Sequence, residues 1–331
     1  MKHSTMLVAG LVTAFAVQGT ASAATKMRCS HQLPPKHHIA QVIDKWAAEV
    51  EKLSNGDIDV QVFGANSLVG AKQNISSVAK GNIECAFSVN FQWGKTLPVM
   101  NVTLKPFAVT DLKTLSAWSG SKAANYLDNQ MLTKGVRNVV WLFTTRMSTI
   151  TSKGHPMISP ADFKGVKIRG LNPIVDAGLV AMGAAPSAMS GSKVYAALST
   201  GVIDAGLTDV SAAVSRKYFE VQDHANIMPL FSVFFHGYVS PAWYDGLSDA
   251  SKAALKEAGG KAALWALEAT EKSAASAPAA LKEKGMKVHM QTAEEQAQWA
   301  AIMSPAFDAA FAKATGEEGK KLLGLVNQIG Q

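Results

Sequence analysis

Apolar residues recur along the chain with two periods, one near 3.6 residues and one of 2. Over 39–53 they fall at Val42, Ile43, Trp46, Val50 and Leu53, a spacing that lines one face of a helix. Just before it, 26–30 reads as a strand, and the loop 31–38 carries Pro34, Pro35 and three histidines, His31, His37 and His38. After Ser54-Asn55-Gly56 the residues Ile58, Val60 and Val62 alternate as a second strand. A helix over 71–80, stopped at Gly81, leads to a third strand over 83–89. The same order returns over 158–209. A short strand, 166–168, delivers Arg169 into a Gly170-Leu171-Asn172-Pro173 turn. An apolar helix follows and stops at Gly183, and a further strand runs to Met189. A helix over 190–200 ends at Gly201, and a strand over 202–207 finishes on Thr208-Asp209. Strand–helix–strand repeated in this way predicts two parallel α/β units.

Between these units, an irregular aromatic stretch (Phe91, Trp93, Pro98, Pro106, Phe107) precedes a helix expected over 112–131. A strand over 137–143 runs into Thr144-Thr145-Arg146, and 148–152 continues extended, passing from the first unit to the second. Beyond Asp209, a helix is expected over 210–219. The run 226–238, with Phe231, Phe234 and Phe235, reads as one long strand crossing back. Ser248 is a good helix cap, and 248–284 reads as one long, kinked helix despite Gly259, Gly260 and Pro278. A last strand over 286–290 and helices over 292–326, with Glu294 and Glu295 in the first turn, close the chain.

The amino terminus departs from this pattern. Lys2 and His3 precede an apolar stretch, 6–17, too short to span a bilayer, and Ala21-Ser22-Ala23 is a small-x-small cleavage signal. Residues 1–23 are therefore expected to be a signal peptide cleaved after Ala23, with the mature chain outside the cytoplasm and not inserted in the membrane. In that oxidising setting Cys29 and Cys85, the two cysteines, lie in strands expected to be neighbours. They are either bridged or two buried thiols, and the residues leave both readings open. The net charge of +7 is scattered rather than blocked, which suits small anions and argues against nucleic acid. No G-x-S-x-G, H-E-x-x-H or strand-following G-x-G-x-x-G occurs, so an enzyme is not expected. One loop of three histidines supplies no metal geometry, and neither metal nor cofactor is expected.

The stretch PADFKGVKIRG…MGAAPSAMSGSKVYAALSTGVIDA, with WAAEVEKLSNGDIDVQVFGANSLVG and VAKGNIECAF, resembles the solute-binding proteins of TRAP (tripartite ATP-independent periplasmic) transporters, of the DctP type. The resemblance covers essentially the whole mature chain. It implies an α/β, two-lobed periplasmic binding protein fold of type II-like form. Each lobe is a sheet flanked by helices, and crossing strands and a long lobe-spanning helix join them. Residues 24–146 plus about 235–275 would form one lobe, and 147–234 plus about 276–331 the other. It implies closure on a small organic acid and delivery to a membrane permease driven by an ion gradient, the protein being a monomer or a homodimer. An ATP-driven importer's binding protein or a periplasmic sensor would share the lobes.

Arg169 matches the family's carboxylate-gripping arginine, and Arg146 lies where many members carry a supporting one. Thr208 stands where the family's ligand-bonding Asn would be, and Asp209 beside it is expected to repel a second carboxylate. Position at the lobe mouth adds Trp93 and Phe91. Phe234, Phe235 and His236 are expected to form an aromatic wall; His31, His37 and His38 are expected on the loop surface, a hydrogen bond to the ligand from His37 or His38 being the other reading. A guanidinium at a strand end is a fixed, always charged fork suited to a carboxylate.

Overall fold

The structure, a computed structural model, describes residues 24–329. The expected signal peptide lies outside the described residues.

Two sheets organise the chain. The first has the order β2-β1-β3-β10-β4, with β1 (Thr25–Ser30), β2 (Ile58–Phe63), β3 (Cys85–Val89), β4 (Arg137–Thr145) and β10 (Val233–Val239). Strands β1, β2 and β3 are parallel, and β10 runs antiparallel between β3 and β4. The second sheet has the order β11-β9-β5-β8, from β5 (Ser148–Ser152), β8 (Gly206–Asp209), β9 (His224–Met228) and β11 (Lys287–Met290). A parallel pair, β6 (Lys167–Gly170) and β7 (Ala185–Ala188), joins its edge through a bridge between Ile168 and Ala205. The expected parallel unit around Arg169 is thus present, with β6 and β8 running the same way and their carboxyl ends side by side.

The helices cover these sheets. α1 (His38–Leu53) buries Ile39, Val42, Ile43, Trp46 and Val50, and Trp46 meets Phe87 of β3 edge-on at 5.2 Å. Each such side chain contributes roughly 1.5–3 kcal/mol when fully buried. Short helices α2 (Asn74–Ala79), α3 (Leu112–Ser116), α4 (Lys122–Leu132), α5 (Pro173–Ala181), α6 (Val194–Ser199), α7 (Val210–Ser215) and α8 (Pro241–Asp245) fill the connections. The long α9 (Asp249–Glu283) is capped by Ser248, whose side chain accepts from Ser251 N. Gly259 does not break it. A Cβ there would sit 2.5 Å from the Val139 carbonyl, so this glycine lets α9 lie directly on β4. α10 (Ala293–Asn327) opens with a reciprocal capping box between Thr292 and Glu295 and turns sharply at Gly316.

Three expectations need correction. The helix over 112–131 is two helices, because Gly120 at φ +81° turns the chain between them. The helix over 210–219 stops at Ser215 and passes into a 3₁₀ turn, Tyr218–Glu220, through Lys217 in the left-handed conformation. The run 226–238 is two strands, not one: β9 belongs to the second sheet and β10 to the first, with the crossing between Met228 and Val233. Cys29 and Cys85 are in register on β1 and β3 and form a disulfide.

Candidate functional site

A cavity of about 50 Å³ lies where the carboxyl ends of β6 and β8 meet the ends of β3 and β4 and the start of β10. Its polar lining is Gln32, His37, Thr144, Thr145, Arg169, Thr208, Asp209 and Arg216. Leu33, Val89, Phe91, Leu171, Phe231, Val233 and Phe235 supply the apolar part.

Arg169 is only 4% exposed. Its Nε donates to the Met189 carbonyl (3.3 Å) and its Nη1 to the Leu207 carbonyl (2.6 Å), while the Phe91 ring lies 5.9 Å from its Cζ. Those two bonds use one hydrogen each. One Nη1 hydrogen and both on Nη2 remain, a fork held in fixed orientation by backbone. Burial lowers this guanidinium to about 10, so it stays charged at neutral pH. Asp176, whose Oδ1 accepts from Leu171 N (2.7 Å), sits behind the turn and is pushed up to about 6 by burial.

Asp209 lines the cavity, but its Oδ1 is occupied. It accepts from Ser211 N (2.8 Å), Ala212 N (3.1 Å) and the Ser211 hydroxyl, the N-cap of α7. Thr208 next to it accepts from Arg216 Nη1 at 3.4 Å. His37 caps α1, its Nδ1 accepting from Ile39 N (3.2 Å), which leaves the ring proton on Nε2. Burial, and then the neighbouring His38 and Arg216, lower His37 well below its ordinary range and keep it neutral. The site therefore offers two cationic forks, a neutral imidazole and hydroxyls around an apolar hollow. That set has the charge and hydrogen-bonding character to suit an anion.

Four residues proposed from sequence lie elsewhere. Arg146 makes a forked ion pair with Glu271 of α9, through Nε (3.2 Å) and Nη2 (2.5 Å), and does not line the cavity. Trp93, Phe234 and His236 are buried inside the first sheet's own aromatic cluster. Trp93 Nε1 donates to His236 Nε2 (2.8 Å), His236 Nδ1 faces Asn138 Oδ1 (3.1 Å), and Phe234 stacks on Trp118 (4.7 Å). The reason is strand alternation: on β10 the side chains of Val233 and Phe235 face the cavity, so Phe234 and His236 point to the opposite side.

Sequence reasoning missed Gln32 and Arg216. Arg216 carried a signal, since it follows Asp209 by seven residues and a two-turn helix returns both to one face. Gln32 carried none.

The profile described as "Bacterial extracellular solute-binding protein, family 7" matches residues 29–314. The chain belongs to that family. Among its relatives, the "C4-dicarboxylate-binding periplasmic protein DctP" of Rhodobacter capsulatus is 27% identical over 291 residues, covering 85% of both chains. A TRAP periplasmic solute-binding protein from Rhodoferax ferrireducens, solved with bound malonate, superposes with TM-score 0.84 at 26% identity, covering 92% of this chain and 98% of that one. One from Desulfovibrio salexigens with bound orotic acid reaches TM-score 0.87 at 21% identity, over 92% and 98%. This solute-binding protein is thus a transport component of the TRAP type, not an enzyme, with the two-lobed fold of its relatives. DctP-family proteins are periplasmic, and no helix among the described residues is long and apolar enough to cross a membrane.

Proposed function

We propose that the protein captures a small organic acid as its monoanion in the periplasm, Arg169 anchoring the carboxylate, and hands it to the permease of a TRAP transporter. The observation that carries this reading is the Arg169 fork, buried, positioned by two carbonyls and with its remaining N–H groups unspent at a cavity. Malonate and orotic acid, named with the solved relatives, are both organic acids. Thr208 and His37 supply neutral contacts, and Phe91 and Phe235 wall the ligand's apolar part. Arg146 acts through Glu271, fixing the long helix, rather than by touching the ligand. The signal peptide is cleaved after Ala23. We divide the lobes at 24–146 plus about 235–275 and 147–234 plus about 276–331. The change of sheet between β4 and β5 and between β9 and β10 supports that division.

Charge-assisted hydrogen bonds contribute about 1.5–3 kcal/mol each, so a two-bond grip supplies roughly 3–6 kcal/mol. A thermal-shift screen of the mature chain against organic acids, with amine and sugar controls, identifies the cargo. Calorimetry then compares wild type with Arg169→Ala and Arg169→Lys. A loss above about tenfold, or ~1.4 kcal/mol, is expected for both. A smaller loss, or a response confined to cationic or neutral solutes, would refute the anchor.

A further inference from the structure

Arg216 has no carboxylate within ion-pair distance among the described residues. Its only side-chain hydrogen bond is the long one from Nη1 to Thr208, and its Nε is buried without a partner. The guanidinium lies against the backbone of Gly191. A Cβ at that glycine would come within 2.6–2.8 Å of Nη1, Cζ and Nη2. Across the same hollow, Gln32 Oε1 is also buried and unpartnered. A buried polar group left unpaired is costly, so the Arg216 Nε–H awaits an acceptor oxygen and Gln32 Oε1, itself an acceptor, awaits a donor such as a hydroxyl, and the chain supplies neither.

Charge limits what that oxygen belongs to. Arg169 and Arg216 are the cations lining the cavity and Asp209 the carboxylate, so 2 − 1 leaves a single positive charge. With His37 neutral, one ligand carboxylate on Arg169 uses up that charge, and Asp176 behind the turn, close enough to act on Arg169, leaves none for a second. A second carboxylate would be buried uncompensated, which is unfavourable. Placement limits it further, because Arg169 Nη1 bonds the Leu207 carbonyl and Arg216 Nη1 the hydroxyl of the adjoining Thr208, which sets the two guanidiniums close together at one end of β8. An oxygen reaching Arg216 while the carboxylate sits on Arg169 is therefore within a bond or two of that carboxylate.

We propose that Arg216 is a second ligand-contacting, specificity-determining residue. It selects monocarboxylates that carry an uncharged oxygen, keto or hydroxyl, on the carbon next to the carboxylate. A short aliphatic tail then packs against Phe231, Val233 and Phe235. This rests on the organic-acid reading above and adds to it which acids are preferred and why.

A four-carbon series tests it by calorimetry: butanoate, 2-hydroxybutanoate, 2-oxobutanoate and butanedioate. Wild type is expected to bind the 2-oxo or 2-hydroxy acid at least tenfold more tightly than butanoate, and butanedioate more weakly than either. Arg216→Gln is expected to bring the oxygenated-to-plain ratio to within threefold. Arg216→Lys, which keeps the charge and loses the fork, should lower the same ratio. It also serves if the glutamine variant does not fold. A wild-type ratio below threefold, a ratio that survives both substitutions, or butanedioate bound best would overturn Arg216's role. Binding of some other organic acid but none of this series would overturn it too, leaving the acid-binding reading intact. Binding of no organic acid at all would bring down that reading itself.

Discussion

The bridge between Cys29 and Cys85 is the feature whose weight can be worked most directly. It joins β1 to β3 across 56 residues of sequence, and both cysteines are fully buried in the first sheet. Closing a loop of that length removes conformational freedom from the unfolded chain worth about 4 kcal/mol on the chain-entropy estimate. At roughly 2.1 cal/mol/K per residue over about 300 residues, unfolding entropy is about 0.6 kcal/mol/K, so the bridge raises the midpoint by about 6 °C. If the half built on the first sheet melts as its own unit, the same energy spreads over about half the residues and the shift is roughly twice as large. The assay is scanning calorimetry of the oxidised protein against protein reduced and held reduced, with free thiols counted. The Cys29→Ala/Cys85→Ala pair run alongside separates the link from the packing, because the reduced wild type keeps both sulfurs. A difference below about 2 °C with both thiols shown to be free would refute the reasoning. It would mean that the unfolded chain is already restricted over this stretch.

Other outcomes follow from the placement of single side chains. Arg146→Ala, which breaks only the pair with Glu271, is expected to change ligand affinity less than threefold in calorimetry; a tenfold loss would put Arg146 in the site. Asp209→Asn keeps an oxygen for the N-cap and should leave stability within about 0.5 kcal/mol. Asp209→Ala should cost about 0.5–2 kcal/mol in denaturant unfolding. Asp128, which accepts from Trp141 Nε1 (2.9 Å), is pushed up to about 7 by burial. Its folded value lies above its unfolded one, so its contribution is complete below about pH 4 and is lost as pH rises through 7. Asp128→Asn should therefore gain thermal midpoint over wild type at pH 8 relative to pH 5. A parallel shift at both would remove Asp128 from the titration.

Much of the fold was legible because amphipathic helices and alternating strands leave their period in the sequence. Trp46 on α1 and the strand delivering Arg169 are examples, and the two strand ends meet because parallel winding brings them together. What could not be read was which face of β10 turns inward. A run of Phe234, Phe235 and His236 is apolar on both faces, so its alternation is silent, and only the partners of each face decide it. The break at 229–232 was equally hidden, since nothing in that run besides Pro229 marks a change of sheet. Arg146 and Asp209 were found by position, but their partners, Glu271 and the amides of α7, come from elements whose approach no local pattern records.

The two crossings between the sheets have a mechanical consequence. β4 pairs with β10 in one sheet and β5 with β9 in the other, and β4 leads to β5 just as β9 leads to β10. The crossings thus run side by side as a single ribbon of two opposed strands whose ladder lapses between them, at 146–147 and 229–232. A ribbon of this kind yields easily to flexing across its flat face. It resists sliding in its plane, because sliding must break the cross-strand bonds on either side of the gap. Flexing of one sheet against the other at this crossing turns about the gap, with the cavity at its mouth, and α9, which packs on α1 and β4 on one side and on α7 and β11 on the other, has to bend or slide with it.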